Sequence, residues 1–562
     1  MERDTKVAAI LSLLAGVVLL WGSRLESLAL LAVGTVAFLA AAVRFRSPIA
    51  TYVAAGVLPL VFQVDNWGWL SGRDAHGEAV ITKNVLEHGW PIPPAVHDAW
   101  GFQATPGLHF LTAVLARVTG LPVVPGIEGR VLVTQLLPVV FVWTTLALVV
   151  VAARTVTARP STALVPLLCW TPLLYFYTSF RRPSMGLVLV TFVVSTLFLS
   201  RRPSSTRMQL LTGLGLLVLA FTHHLTTLYA MLFLGSYAAV TWSLSQFTEA
   251  DSATPLRYVA GALGSGGVLV AVLAQFESGR RFLGKIVGLV VPASGAPDSN
   301  PNQSGSPSPD GSTGAVSDGG PVAKFLDNAA YHTQNFLVPW GYAGVLGSLS
   351  VFALGTTLRR DESVSPFLLT SVAFGGLAAA LGLLGWLAGM LEFRRPLTVW
   401  VVVCGWLGVV AVLRNRPAET GLRRVVFACL LVFGVLMVPA YDLGVGTPNY
   451  ATGEAEQEFS PQLYATAEFV DEYGTRGRVV GDANVREVVS PLGQTLVETR
   501  PETIKSGVNA TGTYVVLEYP RNDRLYFGPT PSGWVHFDPA DTNGTFRNES
   551  VIYTTDSAVV YT

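Results

Sequence analysis

The run "VLVTQLLPVVFVWTTLALVVVA", from Val131 to Ala152, decides the fold class because it contains no charged residue. An α-helix rises about 1.5 Å per residue, and about 20 apolar residues cross the hydrocarbon core of a bilayer. The whole chain is 51% hydrophobic and only 13% charged, about half the charged fraction of a soluble domain. The sequence therefore predicts a polytopic α-helical membrane protein. The net charge of zero gives no basic excess, and we predict no nucleic-acid partner.

Thirteen apolar runs are candidate membrane helices. They cover residues 7–22, 27–43, 48–64, 131–152, 161–178, 184–200, 208–222, 224–243, 256–275, 337–357, 366–391, 397–413 and 424–441. A weaker amphipathic run at 105–120 is expected to lie on the membrane surface. The first run resembles a signal peptide, but no good cleavage site follows and another span begins at once, so we interpret it as a retained helix.

Two independent signals predict the orientation in the cell membrane. Basic clusters at Arg44/Arg46, Arg359/Arg360 and Arg414/Arg416 are typical of cytoplasmic ends. The four Asn-X-Ser/Thr sequons fall only in a long loop and in the C-terminal region, at Asn302, Asn509, Asn543 and Asn548. Glycosylated asparagines face the exterior. Thirteen spans with a cytoplasmic N-terminus satisfy both signals.

This topology divides the chain into two predicted domains. Residues 1–441 form the transmembrane domain, with an external loop at 65–130 that carries surface helices and a mobile external loop at 276–336. Residues 442–562, called the tail below, hold 17 acidic and 8 basic residues and alternating segments such as "TYVVLEY". Alternation with frequent Pro, Gly and Asn indicates strands and turns. We expect a small external β-rich or α+β domain.

Two nearly identical phrases place a double arginine before a proline at the predicted external face. They are "TSFRRPSMG", with Arg181 and Arg182, and "EFRRP", with Arg394 and Arg395. A cytoplasmic anchor would be the usual reading of such a phrase, but the topology puts both outside. Arginine near a bilayer is costly and usually has a function. A third copy, Arg201/Arg202, falls at a predicted inner end and shows that the phrase alone is not diagnostic.

The first external loop contains an ordered set of features. Asp65 ends a helix, Asp74 follows, a short amphipathic helix is predicted from Glu78 to His88, and it stops at Gly89. The segment "TPGLHFLTAVLARVTG" and Arg130 come next. This order resembles membrane glycosyltransferases of the C type (GT-C), which include protein O-mannosyltransferases and lipid A aminoarabinose transferases. The resemblance covers roughly residues 65–155.

The resemblance implies an inverting enzyme that moves one sugar from a polyprenyl- or dolichyl-phosphate donor to a lipid-linked glycan or surface glycoprotein. A mannose-type sugar is the expectation from the family. Asp74 would be the base, with Asp65 as the alternative, and Arg394, Arg395, Arg181 and Arg182 would bind the donor phosphate, since arginine suits phosphate oxygens. Two departures stand against the pattern: "SFRRPSMG" has no carboxylate, and the tail has no Trp-Trp-Asp motif.

Four further residues are predicted to bind substrate: His76, Glu78, His223 and His224. Asp74 could instead cap the helix, and Asp74, His76 and Glu78 could instead hold a divalent cation, although their spacing is not a diagnostic metal motif. We predict no resident metal. The alternative functions are a transporter or flippase for anionic lipid-linked glycans, which would need the arginines but not Asp74, and a non-catalytic surface-assembly protein.

Overall fold

A computed structural model describes part of the chain. The described residues are 14, 18, 33, 70–71, 73–92, 105–125, 131–157, 160–168, 180–199, 206–246, 253–275, 280, 284, 338–359, 365–387, 394–415, 458–459, 464–466, 469–470, 478–481, 497–498, 513–518, 525–530, 533–537, 551–554 and 558–561. Asp65, the loop at 292–320 and the predicted spans at 7–22, 27–43, 48–64 and 424–441 lie outside them, apart from single positions.

Helices account for most of the described chain. They are α1 (Arg73–His88), α2 (Gly107–Thr119), α3 (Val133–Arg154), α4 (Leu164–Leu168, after a 3-10 turn at Pro160–Ala163), α5 (Arg182–Leu199), α6 (Thr206–Ala220), α7 (His224–Ser245), α8 (Ala253–Ala274), α9 (Val338–Arg359), α10 (Pro366–Leu387), α11 (Arg394–Trp400) and α12 (Trp406–Asn415). A π-helical turn, Val401–Gly405, joins α11 to α12.

Six helical segments among the described residues are long and apolar enough to cross a membrane. They are Val133–Arg154, Arg182–Leu199, His224–Ser245, Trp340–Arg359, Pro366–Leu383 and Arg395–Val412. The protein is therefore a multi-pass membrane protein. The prediction of thirteen spans, and of which side each terminus faces, stays a prediction.

The span from Arg395 to Val412 runs through the interior, since 89% of it is buried, compared with 33% of the Trp340–Arg359 span. Aromatic rings fill the space around it: Phe198 stacks on Phe367 with ring centroids 3.9 Å apart, and Trp406 lies beside Phe198 at 5.7 Å. Burial of such large side chains fixes the helices relative to one another.

The π-helical turn is held by α10. The Trp400 indole donates to the Ser371 carbonyl at 2.9 Å, and the Ser371 hydroxyl donates to the Cys404 carbonyl at 2.8 Å. A π turn disturbs the regular hydrogen-bond ladder, so its carbonyls need outside donors. Gly375 gives Trp400 its space, because a Cβ there would lie 2.7 Å from the indole.

Two expectations for the external loop change in detail. Helix α1 begins at Arg73, five positions before the predicted start at Glu78, so Asp74 lies in its first turn and not at a cap before residue 78. Burial of Ala75 and His76, both 0% exposed, explains this early start. Helix α2 is 13 residues long, about 20 Å, which is too short to cross a bilayer.

The described strands form three small sheets. Strand β1 (Leu70–Ser71) pairs antiparallel with β2 (Glu458–Phe459). A mixed five-stranded sheet has the order β4 (Val497–Glu498), β3 (Arg478–Gly481), β5 (Thr513–Glu518), β9 (Ala558–Tyr561) and β8 (Val551–Thr554). Strands β6 (Leu525–Thr530) and β7 (Gly533–Phe537) form a hairpin. A separate external domain at 442–562 stays a prediction.

Candidate functional site

A buried ion pair joins the first external loop to the first double-arginine phrase. The Glu78 side chain of α1 accepts from Arg182 Nε at 2.6 Å, and Arg182 Nη1 donates to the Thr105 hydroxyl at 2.9 Å. Glu78 is 7% exposed and Arg182 4%. Two ionised groups at this depth are stable only as a pair, because either one alone would bear the full desolvation cost.

His109 of α2 lies on the other carboxylate oxygen. Its Nε2 is 3.1 Å from Glu78 Oε2, although the angle falls short of a well-aligned hydrogen bond. On the far side of the ring, Nδ1 is 3.0 Å from the Thr82 hydroxyl. With the ring proton on Nε2, facing the carboxylate, Nδ1 accepts from the Thr82 hydroxyl, and it shares that single proton with the Glu78 backbone carbonyl, 2.8 Å from the hydroxyl. Thr82, Glu78, Thr105, His109 and Arg182 are called the polar cluster below.

The polar cluster is built to keep Glu78 charged and His109 neutral. Burial by itself raises the pKa of Glu78, but the positive charge of Arg182 and the contact with His109 outweigh burial and lower that pKa to about 2. Burial lowers the pKa of His109, and Glu78 only partly offsets this. At neutral pH the cluster therefore holds one negative and one positive charge, which cancel.

A small, partly open cleft begins beside the polar cluster, at the residue after Arg182. Its walls are mostly apolar, with polar groups from the second double-arginine phrase and from the start of α7. The lining residues are Pro183, Leu187, His223, Leu225, Thr226, Tyr229, Arg395, Thr398 and Val399. The two phrases, more than two hundred positions apart in sequence, therefore meet at one cleft.

His223 caps helix α7 at the edge of this cleft. Its Nδ1 accepts from the backbone N–H of Thr226 at 3.3 Å, so the ring proton of the neutral imidazole is on Nε2. Burial, followed by the charges of His224, Arg182 and Arg395, holds the pKa of His223 well below its usual value. Both arginines contribute to this lowering, and the proton on Nε2 makes His223 a neutral hydrogen-bond donor at the cleft that Arg395 also lines.

Helix α2 connects the polar cluster to the turn that carries His223. The Gly107 N–H, at the start of α2, donates to the Phe221 carbonyl at 3.0 Å. A Cβ at Gly107 would lie 3.3 Å from the Thr222 Cα, so glycine allows this close approach. The cluster and the cleft are thereby two parts of one assembly, called the site below.

The other predicted residues are placed as follows. The backbone of Asp74 lies in α1, one helical turn before Glu78, and that of Arg394 begins α11, while their side chains fall outside the described residues. Arg181 is buried next to Arg182, and His224 is the first residue of α7. His76 is fully buried, and its Nδ1 contacts the Tyr464 hydroxyl of the tail rather than facing the cleft. Among the described residues, no three His, Cys, Asp or Glu side chains cluster closely enough to hold a metal ion.

Sequence reasoning missed His109, Thr105 and Tyr464. The signal for His109 was present, since Leu108, His109 and Thr112 share the buried face of α2. A histidine on a buried face needs a partner, and the acids of the same loop, Glu78 among them, were the candidates. Nothing in the sequence ties Tyr464 to His76, which is 388 positions away.

Comparisons with known proteins find a structural similarity and assign no residue roles. No protein-family model matches this chain, and no curated protein matches it. The solved structures similar to it include two crystal structures of ArnT from Cupriavidus metallidurans, one bound to undecaprenyl phosphate and one in the apo state. Each is 14% identical, covers 91% of this chain and 97% of ArnT, and has a TM-score of 0.40. ArnT is a GT-C glycosyltransferase, the superfamily that the first external loop resembles. A TM-score of 0.40 transfers no residue role from one chain to the other.

Proposed function

We propose that this protein is a membrane glycosyltransferase that moves one sugar from a polyprenyl-phosphate donor to a hydroxyl acceptor at the external face. The observation that carries the proposal is the cleft in which Arg395 and His223 stand against apolar walls. An amphiphile with an anionic head and a hydrocarbon chain matches that combination. The guanidinium takes the phosphate oxygens, and the apolar walls take the first isoprene units.

The reaction forms one bond and breaks one. Asp74 accepts the proton of the acceptor hydroxyl as its oxygen bonds to the anomeric carbon, and the bond from that carbon to the phosphate oxygen breaks. The leaving polyprenyl phosphate takes the electron pair and gains one negative charge. Attack opposite to the leaving group inverts the anomeric centre, and Arg395 with the Nε2–H of His223 stabilises the charge that develops on the phosphate.

The charges around the remaining predicted residues decide which role each is assigned. Arg182 is neutralised by Glu78, so we assign it to the wall of the site and to orienting Pro183 rather than to direct phosphate binding. Arg394 and Arg181 stay as predicted phosphate ligands, and Asp65 stays as the alternative base. A mannose donor and a glycan or glycoprotein acceptor are the finer proposals.

The test is a transfer assay in membranes with a labelled polyprenyl-phosphate sugar and a panel of acceptors. Asp74→Asn is expected to lower the rate by about 10²–10⁴-fold, the contribution of a positioned base, while Asp65→Asn retains most of it. Full activity of Asp74→Asn together with loss in Asp65→Asn would move the base to Asp65. Full transfer activity in both variants would refute both base assignments. Movement of the lipid-linked sugar across the membrane without any transfer would refute the glycosyltransferase and support a flippase.

A further inference from the structure

The start of helix α1 is held by the tail at two points. Strand β1 pairs with β2, with Leu70 opposite Phe459 and Ser71 opposite Glu458. Five positions after Ser71, the ring of His76 meets Tyr464 edge-on, with centroids 5.4 Å apart, and the hydroxyl of Tyr464 contacts His76 Nδ1. Asp74 lies in the chain between these two contacts.

Both members of the His76–Tyr464 contact are deeply buried. His76 is 0% exposed and Tyr464 2%, and Thr466 beside it is also fully buried. Burial raises the pKa of Tyr464 well above its usual value, so the phenol keeps its proton, and its hydroxyl and His76 Nδ1 share one hydrogen bond. A buried hydroxyl is costly without a hydrogen bond, and the His76 ring provides one to Tyr464.

The opposite end of α1 is held differently. Ile81 and Val85 pack against Ile92 and Ala113 of the same external loop, in a small apolar cluster. The second half of the helix thus depends on α2, whereas the first half, which carries Asp74, is joined to residues almost four hundred positions later. We propose that the segment 458–470 is a positioning element of the site and that Tyr464 sets the position of Asp74 through His76.

This inference rests on the proposed function for its kinetic consequence, and on the contacts alone for its structural consequence. If the tail positions the base, its loss affects the chemical step and not the binding of the donor, since the proposed donor ligands, Arg395 and His223, line the cleft. A misplacement of about 1 Å at a reacting group can lower a rate by about 10²-fold. The loss of one hydroxyl should have part of that effect.

The kinetic test uses the full-length protein in membranes. Tyr464→Phe removes the hydroxyl and keeps the ring, and it is expected to lower kcat by about 3- to 10-fold with an unchanged KM for the donor. Tyr526→Phe, on strand β6 of the same tail, is the matched control and should leave both unchanged. An unchanged kcat in Tyr464→Phe, or a rise in donor KM of the same size as the fall in kcat, overturns the proposal.

A covalent bridge provides a readout that does not depend on activity. Directly opposed residues of an antiparallel pair have Cα atoms about 4.5–5.5 Å apart, within the range of a disulfide. The Ser71→Cys/Glu458→Cys variant, with Cys169, Cys404 and Cys429 replaced by alanine and a protease site inserted near residue 450, should keep its two fragments joined until reductant is added. Failure to form this bridge in active protein overturns the docking of the tail.

The bridge also serves as a rescue. In the Tyr464→Phe background the oxidised disulfide should restore most of the lost kcat, because it holds β1 against β2, and reductant should remove the gain. If the bridge forms and kcat is not restored, Tyr464 does not act by setting the position of Asp74, and the proposal is refuted. Failure of the proposed function is distinguishable, since the wild-type protein would then show no sugar transfer while the bridge still formed.

Discussion

The two double-arginine phrases have nearly the same sequence and different electrostatic environments. In the first, Arg182 is 4% exposed and its charge is cancelled by Glu78 at 2.6 Å. In the second, Arg395 is half-buried and lines an open cleft with apolar walls. The difference comes from the acid that α1 brings to one phrase. An arginine with a buried carboxylate partner maintains the structure, whereas the arginine on the cleft lies where we propose that the donor phosphate binds.

The largest expected effect comes from disrupting the Glu78–Arg182 ion pair of the first phrase. Glu78→Gln leaves the buried Arg182 without its counter-charge and should destabilise the protein by about 3–5 kcal/mol. Thermal unfolding in detergent measures this. The Glu78→Gln/Arg182→Met double variant removes both charges and should recover much of the loss. Additive losses in the double variant would show that the pair is not coupled.

Lowering the pH tests the ion pair of the first phrase without a mutation. The pKa of Glu78 is lowered from 4.5 to about 2, so its stabilising charge is fully present above pH 4.5 and is lost as the pH falls through about 2. The wild-type protein should lose up to about 3 kcal/mol over that window, at about 1.4 kcal/mol per pKa unit. Unfolding curves at several pH values for wild type and Glu78→Gln isolate the contribution of Glu78 to the free energy of unfolding, because the variant lacks this carboxylate. Parallel curves would contradict the assignment.

Removing the Arg395 side chain of the second phrase should lower the activity rather than the free energy of unfolding. Arg395→Ala is expected to lower kcat/KM about 10²-fold, equal to about 2.7 kcal/mol, by removing a donor to the phosphate. Its unfolding temperature should change less than that of Glu78→Gln, since Arg395 is half-buried whereas Glu78 and Arg182 are deeply buried. Arg201→Ala, in the third copy of the phrase, is the control and should retain full activity. Equal losses of activity in Arg395→Ala and Arg201→Ala would support membrane anchoring as the role of the double-arginine phrase.

The smallest effect tests the support behind Arg395. Gly375→Ala places a Cβ 2.7 Å from the Trp400 indole and should cost about 1–3 kcal/mol through overpacking, with a lowered kcat because α11 shifts. Gly376→Ala, the next residue of α10, has no atom within 4 Å of the added Cβ and should be neutral or slightly stabilising. Thermal shift and transfer assays on the pair give the comparison. Identical behaviour of the two variants would mean that the Trp400 contact does not hold α11.

Local patterns in the sequence were sufficient for the membrane class, for several span positions and for the loop elements. The runs at 131–152, 224–243 and 337–357 correspond to α3, α7 and α9 within a few residues. Hydrophobicity over about 20 residues is a one-dimensional property, so it can be read directly. The start of α1 was misplaced by five residues because Ala75 and His76 are buried by partners far away in sequence.

The sequence by itself determined which residue types are available: an acid-bearing external loop, a histidine pair at a turn, and arginine pairs before prolines. Tertiary structure decided which arginine is neutralised, which one faces the cleft, and that Tyr464 meets His76 across 388 positions. The physical reason is that pairing of buried charges and satisfaction of buried hydroxyls depend on distances in space of about 3 Å. Only the packing of helices sets those distances, and two nearly identical stretches of sequence do not specify which residues will contact them.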